Sequence, residues 1–159
     1  MSDETITRRT CLIGGVAGAV LATVGAPAAF AQTNAIQSQD TDIGGVVAEI
    51  IECKRKGDVL TIKMRFVNNS GSKTRVKIIY DNDYDNYYLT AGDKKYFVLR
   101  DSEGVPLATP SHNTFIEPEI EKGGTANFWA KYPAPPPEVK EVNFYTKITM
   151  PFEDLPITE

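Results

Sequence analysis

The chain has 159 residues, of which 42% are hydrophobic and 24% are charged, and its formal net charge is −4. These values are those of one ordinary globular domain, and they exclude collagen-like, coiled-coil and intrinsically disordered compositions. The acidic balance argues against general nucleic-acid binding, which requires a basic face, and one His with two Cys leaves little material for a zinc site or a histidine-based catalytic triad.

The first 31 residues have the pattern of a bacterial export signal. Arg8 and Arg9 precede an apolar stretch interrupted by glycines, and residues 29–31 have the small-x-small pattern of a cleavage site. The segment resembles a twin-arginine signal peptide, although Cys11 stands where such signals often carry Phe, so the general secretory route is the alternative. The apolar stretch is shorter than the roughly 20 residues of a membrane-spanning helix. We therefore predict cleavage after residue 31 and a periplasmic or secreted domain without a transmembrane segment.

The next segment, residues 32–45, is polar and poor in aromatic side chains. This composition predicts a flexible lead-in to the folded domain.

From residue 46 onward, short runs of alternating apolar and polar side chains are separated by turn signals. In the run 46–53, Cys53 shares its parity with Val47 and Ile51, which predicts a buried thiol rather than a reactive one.

The clearest run covers residues 60–66, in which every second side chain is apolar and those between are polar. A period of two places one set in the core and the other in water, as in a half-buried antiparallel strand. No stretch shows sustained helical periodicity, and the spacing of the turns is typical of a β-sandwich, with a small barrel as the alternative. Further strands are predicted at 74–80, 87–90, 95–99, 125–132 and 142–148.

Several segments together resemble an immunoglobulin-like module of bacterial envelope proteins. That module is found alone behind an export signal, or ahead of a peptidoglycan-binding domain in chains of the outer-membrane protein A family. The resemblance covers about 46–157 and implies an antiparallel immunoglobulin-like β-sandwich over 46–159, in the cell envelope and without a catalytic residue to carry over. It does not include the peptidoglycan-binding domain, so cell-wall binding is not implied. The matching segments are Leu60-Thr61-Ile62 to Phe66-Val67-Asn68, Tyr96 to Gly104, Gly124 with Trp129 to Pro136, and Pro151 to Ile157.

An acidic loop is the one segment with metal-ligand character. Asp81, Asp83 and Asp85 stand at alternate positions, and three carboxylates gathered by a turn would suit a hard cation such as Ca²⁺. The EF-hand pattern fails, because Asn86 replaces the turn glycine and Gly92 stands where a bidentate Glu belongs. A solvated inter-strand loop is the simpler interpretation, and Ca²⁺ binding is kept as the alternative.

The same loop is rich in tyrosine, the side chain that protein-binding loops use most. We predict that Tyr80 and Tyr96 fill the core, that Tyr84 and Tyr87 are exposed, and that Tyr84, Tyr87 and Tyr88 form a binding surface.

The function that these patterns favour is a non-enzymatic binding or adaptor module that recognises an envelope protein, a peptide or a glycan through its loops, without a cofactor. A carboxylate-based hydrolase that uses Glu117, Glu119 or Glu121 is the enzymatic alternative.

Overall fold

A computed structural model describes residues 34–159 of the protein. The predicted export signal, residues 1–31, lies outside the described residues. Within them, no helix is long and apolar enough to cross a membrane. The described chain contains ten β-strands and one turn of 3-10 helix, Tyr84–Asn86. The strands are β1 Gln37–Asp40, β2 Val46–Lys56, β3 Val59–Asn68, β4 Thr74–Arg75, β5 Tyr88–Ala91, β6 Lys94–Tyr96, β7 Glu119–Ile120, β8 Thr125–Pro133, β9 Glu141–Tyr145 and β10 Phe152–Pro156.

The strands form two four-stranded sheets and a small two-stranded one. The first sheet has the order β1-β2-β3-β8, the second has the order β10-β9-β5-β6, and β4 pairs with β7. All of these pairs are antiparallel. The predicted all-β fold is therefore confirmed, and two antiparallel sheets of this kind are the arrangement expected of a β-sandwich.

The core lies between the two larger sheets and follows the alternation seen in the sequence. In β3, the four apolar side chains of the run 60–66 are fully buried, while Lys63 between them is exposed. Aromatic side chains join the sheets: the ring of Tyr132 on β8 lies 6.1 Å from that of Phe144 on β9, measured between centroids. The predicted phase of this strand is thus confirmed, and the predicted burial of Cys53 is confirmed as well.

The segment predicted as a flexible lead-in contains an ordered strand. β1 pairs with β2 in the register Gln37↔Ile50 to Asp40↔Val47, and the side-chain amide of Gln39 donates to the carbonyl of Pro151, 3.2 Å away. The prediction of flexibility is therefore wrong for residues 37–40. The segment is polar because β1 is a half-exposed strand, in which backbone hydrogen bonds stabilise the pairing without an apolar face.

The predicted strand at 74–80 is regular only at its start. After β4 the chain continues alongside residues 116–118, with hydrogen bonds from the Val76 amide to the Pro118 carbonyl and from the Ile78 amide to the Ile116 carbonyl. Asp81 and Asn82 then adopt left-handed backbone conformations, with φ of 54° and 55°. This pair forms a turn, closed by a hydrogen bond from the Asp83 amide to the Tyr80 carbonyl at 3.0 Å.

Candidate functional site

The loop after residue 80 places two of its tyrosines inside the protein. Tyr84 and Tyr87 lie at the first residue and at the C-cap of the 3-10 turn, and residues three apart share one face of such a turn. Their side chains are only 3% and 1% exposed. The Tyr84 hydroxyl donates to the carbonyl of Thr109 at 2.8 Å, and the Tyr87 hydroxyl donates to the carbonyl of Ile78. The prediction that these two rings form an exposed binding surface is wrong.

The other tyrosines of this region differ from one another in burial. Tyr80 was expected in the core but is 45% exposed, so that prediction is wrong. Tyr96 is half-buried and packs against the core. Tyr88 is half-buried on the outer side of the second sheet, where its ring stacks on Tyr145 with centroids 4.8 Å apart. Lys95 covers it with its ammonium 4.4 Å from the ring centroid. Of the predicted binding surface, only Tyr88 retains partial exposure.

The structure does not bring Asp81, Asp83 and Asp85 together. No group of three or more His, Cys, Asp or Glu side chains in residues 34–159 is arranged to hold a metal ion. The Asp83 carboxylate accepts a hydrogen bond from the Asn86 amide, and that of Asp85 lies 3.4 Å from an Arg100 guanidinium nitrogen. The carboxylates of Asp83 and Asp85 thus contact different partners, and the three aspartates are not gathered as the calcium hypothesis required.

Two of the three glutamates considered for hydrolysis, Glu119 and Glu121, belong to an exposed ion-pair network beside β4 and β7. The Glu119 carboxylate lies 2.7 Å from the Lys73 ammonium and 2.6 Å from the Arg75 guanidinium. The hydrogen bonds that Lys73 and Arg75 donate to the Glu119 carboxylate lower its pKa to about 2, and the bond from Lys73 has the larger effect. Glu121 adds a second contact to Lys73 at 3.2 Å. A carboxyl group with so low a pKa stays ionised near neutral pH and is unsuited to act as a general acid.

A cleft that sequence reasoning missed opens where four connecting segments meet. They are the β1–β2 turn, the irregular segment after β4, the tyrosine-rich loop and the β9–β10 turn. The cleft has a volume of about 370 Å³, within the size range of small-ligand pockets. We call it the charged cleft, and it is lined by Asp42, Ile43, Lys77, Ile78, Tyr80, Asp83, Tyr87, Lys147 and Ile148.

The charged cleft is lined by apolar side chains as well as by the carboxylates of Asp42 and Asp83. Ile78 and Ile148 are buried, and Ile43 packs against the core. Burial raises the pKa of the Tyr87 hydroxyl, and the carboxylates of Asp42 and Asp83 raise that pKa further.

Two lysines give the cleft positive charge. The Lys77 ammonium lies 4.3 Å from the centroid of the Tyr80 ring, and Lys147 is exposed on the β9–β10 turn. Among the ion pairs formed by residues 34–159, none includes Asp42, Asp83, Lys77 or Lys147. The cleft thus combines two anionic and two cationic groups that do not pair with one another.

A shallow groove adjoins the cleft between the end of β1 and the β9–β10 turn. It has a volume of about 420 Å³ and shares Asp42, Lys147 and Ile148 with the charged cleft. Its lining includes Met150, which is 71% exposed. The two depressions are therefore adjacent on the surface.

The charged cleft had no signal in the sequence, because its residues come from four separate segments. Asp42 stood in the predicted lead-in and Lys147 in a predicted strand, and neither belongs to a recognisable motif.

The buried thiol of Cys53 lies outside the charged cleft. Burial raises the pKa of this thiol to about 12, so the thiol is not ionised near neutral pH and is unsuited to act as a nucleophile.

Comparisons of the chain with protein families, with curated proteins and with solved structures gave no match.

Proposed function

We propose that this protein is an exported, non-enzymatic binding module of the bacterial cell envelope, which recognises a peptide, a protein or a glycan in the charged cleft. The observation that carries the proposal is the cleft itself. It has about 370 Å³ of space, an apolar part, and charged groups of both signs that form no ion pair with one another. A concave apolar site with a few convergent polar groups is the usual form of a ligand site.

The envelope location rests on the sequence. The paired Arg8 and Arg9 before an apolar stretch favour export by the twin-arginine route. The segments between 46 and 157 that resemble immunoglobulin-like envelope modules favour the same destination and an immunoglobulin-like arrangement of the sandwich. Sandwich scaffolds commonly bind through the segments that connect their strands, and the charged cleft is built from such segments.

A binding role is favoured over a catalytic one by the state of the groups in the cleft. The Tyr87 hydroxyl already donates to the Ile78 carbonyl, and its raised pKa keeps it un-ionised at neutral pH. A nucleophile needs the opposite, which is a lowered pKa or an adjacent base that accepts its proton. The Tyr87 hydroxyl is therefore unsuited to act as a nucleophile, which favours a cleft that holds a ligand over one that transforms it.

A capture experiment with a matched variant tests this function. Residues 32–159 would be immobilised and exposed to envelope extract, with and without Ca²⁺, beside the charge-reversed variant Lys77→Glu/Lys147→Glu. A control variant, Lys122→Glu, carries a reversed charge outside the cleft. We expect retained material that the cleft variant loses, that the control keeps, and that does not depend on Ca²⁺. Equal retention by all three proteins would contradict binding in the cleft.

A further inference from the structure

We propose that the outer face of the second sheet is an interface on which a second copy of this chain packs, face to face, in a two-fold symmetric dimer. The interface lies outside the charged cleft, because none of the residues that form it lines the cleft. Two rows of side chains cross this face, one aromatic and one polar, and the polar row carries opposite charges at its two ends.

The first row is aromatic and reaches solvent. Tyr145 on β9 and Tyr88 on β5 are direct cross-strand partners, and their half-buried rings stack with centroids 4.8 Å apart. Phe97, which follows β6, extends the row, with its ring centroid 6.0 Å from that of Tyr88. Phe97 is 47% exposed. Exposed aromatic side chains of this kind are enriched in protein interfaces and supply much of their binding energy.

The second row lies beside the first on the same face, because side chains two residues apart on a strand point the same way. Lys95 on β6 pairs with Thr90 on β5, and Thr90 pairs with Asn143 on β9. The Asn143 side chain accepts a hydrogen bond from the Asp154 amide on β10 at 2.8 Å. Glu153 precedes Asp154, and both are exposed. The row therefore has a cation at the β6 edge of the sheet and two carboxylates at the β10 edge.

These charged groups have no ionic partner in the part of the chain that the structure describes. Among the ion pairs of residues 34–159, none includes Lys95, Glu153 or Asp154. The two edges cannot pair within one copy, since β6 and β10 are the outermost strands of the sheet, about 14 Å apart at the usual strand spacing. Opposite charges thus stand unpaired at opposite edges of one face.

A two-fold axis that runs parallel to the strands, between β9 and β5, makes this arrangement self-complementary. Such a rotation places β6 of one copy over β10 of the other and preserves the position of each row along the strands. Lys95 of each copy then faces Glu153 and Asp154 of the other, and the two aromatic rows pack against each other. An interface between two identical copies requires this reciprocity, and sheets commonly pack face to face with their strands nearly aligned.

The size of the face sets the strength of the contact. Four strands about 4.8 Å apart and about five residues long cover on the order of 300 Å² in projection. A standard interface buries roughly 800 Å² per partner, so we expect a weak dimer that forms at high protein concentration. Its charged contacts lie at the rim, where salt weakens them.

Charge-reversed variants of the two edges test the inference. Lys95→Glu places like charges opposite each other in the dimer. Glu153→Lys combined with Asp154→Asn does the same, and asparagine suits the left-handed backbone at position 154. Sedimentation equilibrium of residues 32–159 at low salt, at up to about 1 mM protein, measures self-association. We expect the unaltered chain to dimerise and each variant to dimerise at least about tenfold more weakly.

An equimolar mixture of the two variants separates a lost contact from a damaged fold. In a mixed dimer, both edges of one copy are acidic and both edges of the other are basic, so every reversed edge faces an opposite charge. We therefore expect the variants to associate with each other although neither associates with itself. Mixing would not restore association that was lost through unfolding.

Two matched controls complete the test. Phe97→Ser should also weaken the dimer, whereas Val105→Ser, at a 52% exposed apolar position outside this sheet, should not. Lys122→Glu, a charge reversal at an exposed position outside this sheet, should leave dimerisation unchanged. An unaltered chain that stays monomeric at every concentration, a dimer that both charge variants retain, or a mixture of the variants that stays monomeric would each overturn the inference.

Discussion

Replacement of Phe66 by alanine tests how the core of the sandwich is built. Phe66 is fully buried on β3, and its cross-strand partners are Ala48 on β2 and Ala126 on β8. Directly opposed residues of neighbouring strands lie side by side on the same face of a sheet. The Phe66 ring therefore stands between two methyl groups that are too short to fill the space it would leave.

The magnitude follows from that arrangement. Phe-to-Ala substitutions in cores cost roughly 3–5 kcal/mol, and the cost rises when the surroundings cannot collapse into the cavity. Because β3 is hydrogen-bonded on both sides and the flanking side chains are alanines, we expect Phe66→Ala to lower the free energy of unfolding by about 4 kcal/mol. For a domain of this size, that corresponds to a fall in Tm of roughly 10–20 °C.

The control is Lys63→Ala, on the opposite face of the same strand. Lys63 is exposed and pairs with Glu52 at 2.9 Å, a surface contact worth less than about 1 kcal/mol. Urea unfolding of both variants, followed by circular dichroism and extrapolated linearly to water, gives the two free energies. Equal losses would refute the reasoning, because Phe66 would then contribute no more than an exposed side chain; a larger loss for Lys63→Ala would mean that the strand is displaced by one residue and its faces are exchanged.

Three further predictions concern single groups. Cys53 should react with a thiol reagent only after unfolding, because burial raises its pKa to about 12; rapid labelling of the native protein would contradict this. Glu119, whose pKa is lowered to about 2 by Lys73 and Arg75, contributes stability that is present above its ordinary pKa and lost as the pH falls toward 2. Glu119→Gln should therefore flatten the fall in urea midpoint between about pH 4.5 and 2, and an unchanged slope would show that the network is not formed. Replacement of Arg8 and Arg9 by lysine should retain the precursor inside the cell, whereas unchanged export in a fractionation assay would indicate the general secretory route.

The sequence predicts the regular part of the fold well because burial there follows a simple period. In β3, every second residue from Leu60 to Phe66 is buried, and one face of an antiparallel strand must be apolar to pack against the other sheet. β1 was missed because a half-exposed strand needs no apolar side chains. Its stability comes from backbone pairing with β2, which leaves no trace in composition.

The tyrosines show where local pattern fails. Tyr84 and Tyr87 stand in an acidic, polar loop, yet the 3-10 turn directs both rings inward, where their hydroxyl groups find backbone carbonyls. Tyr80 stands in an alternating run but ends exposed, because the strand loses regularity after β4. Orientation in such segments depends on backbone conformations such as the left-handed pair at Asp81 and Asn82, which alternation does not reveal.

The charged cleft was beyond sequence reasoning for a different physical reason. Asp42, Lys77 and Lys147 lie far apart in the chain and meet only because the turns of the two sheets converge. Charged residues in turns are ordinary surface groups when each is considered alone. Whether such residues form a ligand site depends on the tertiary arrangement, which the two-residue alternation of the strands does not determine.

The most direct test of a ligand site in the charged cleft is a map of backbone amide shifts. The ¹⁵N-labelled domain, residues 32–159, would be titrated with the soluble peptide and glycan fraction of envelope extract, and perturbed amides would be assigned by two-dimensional NMR. We predict that the largest shifts fall on the segments around Ile43, Lys77 and Ile148. Shifts that are absent, or confined to the outer face of β8 around Trp129, would contradict the account.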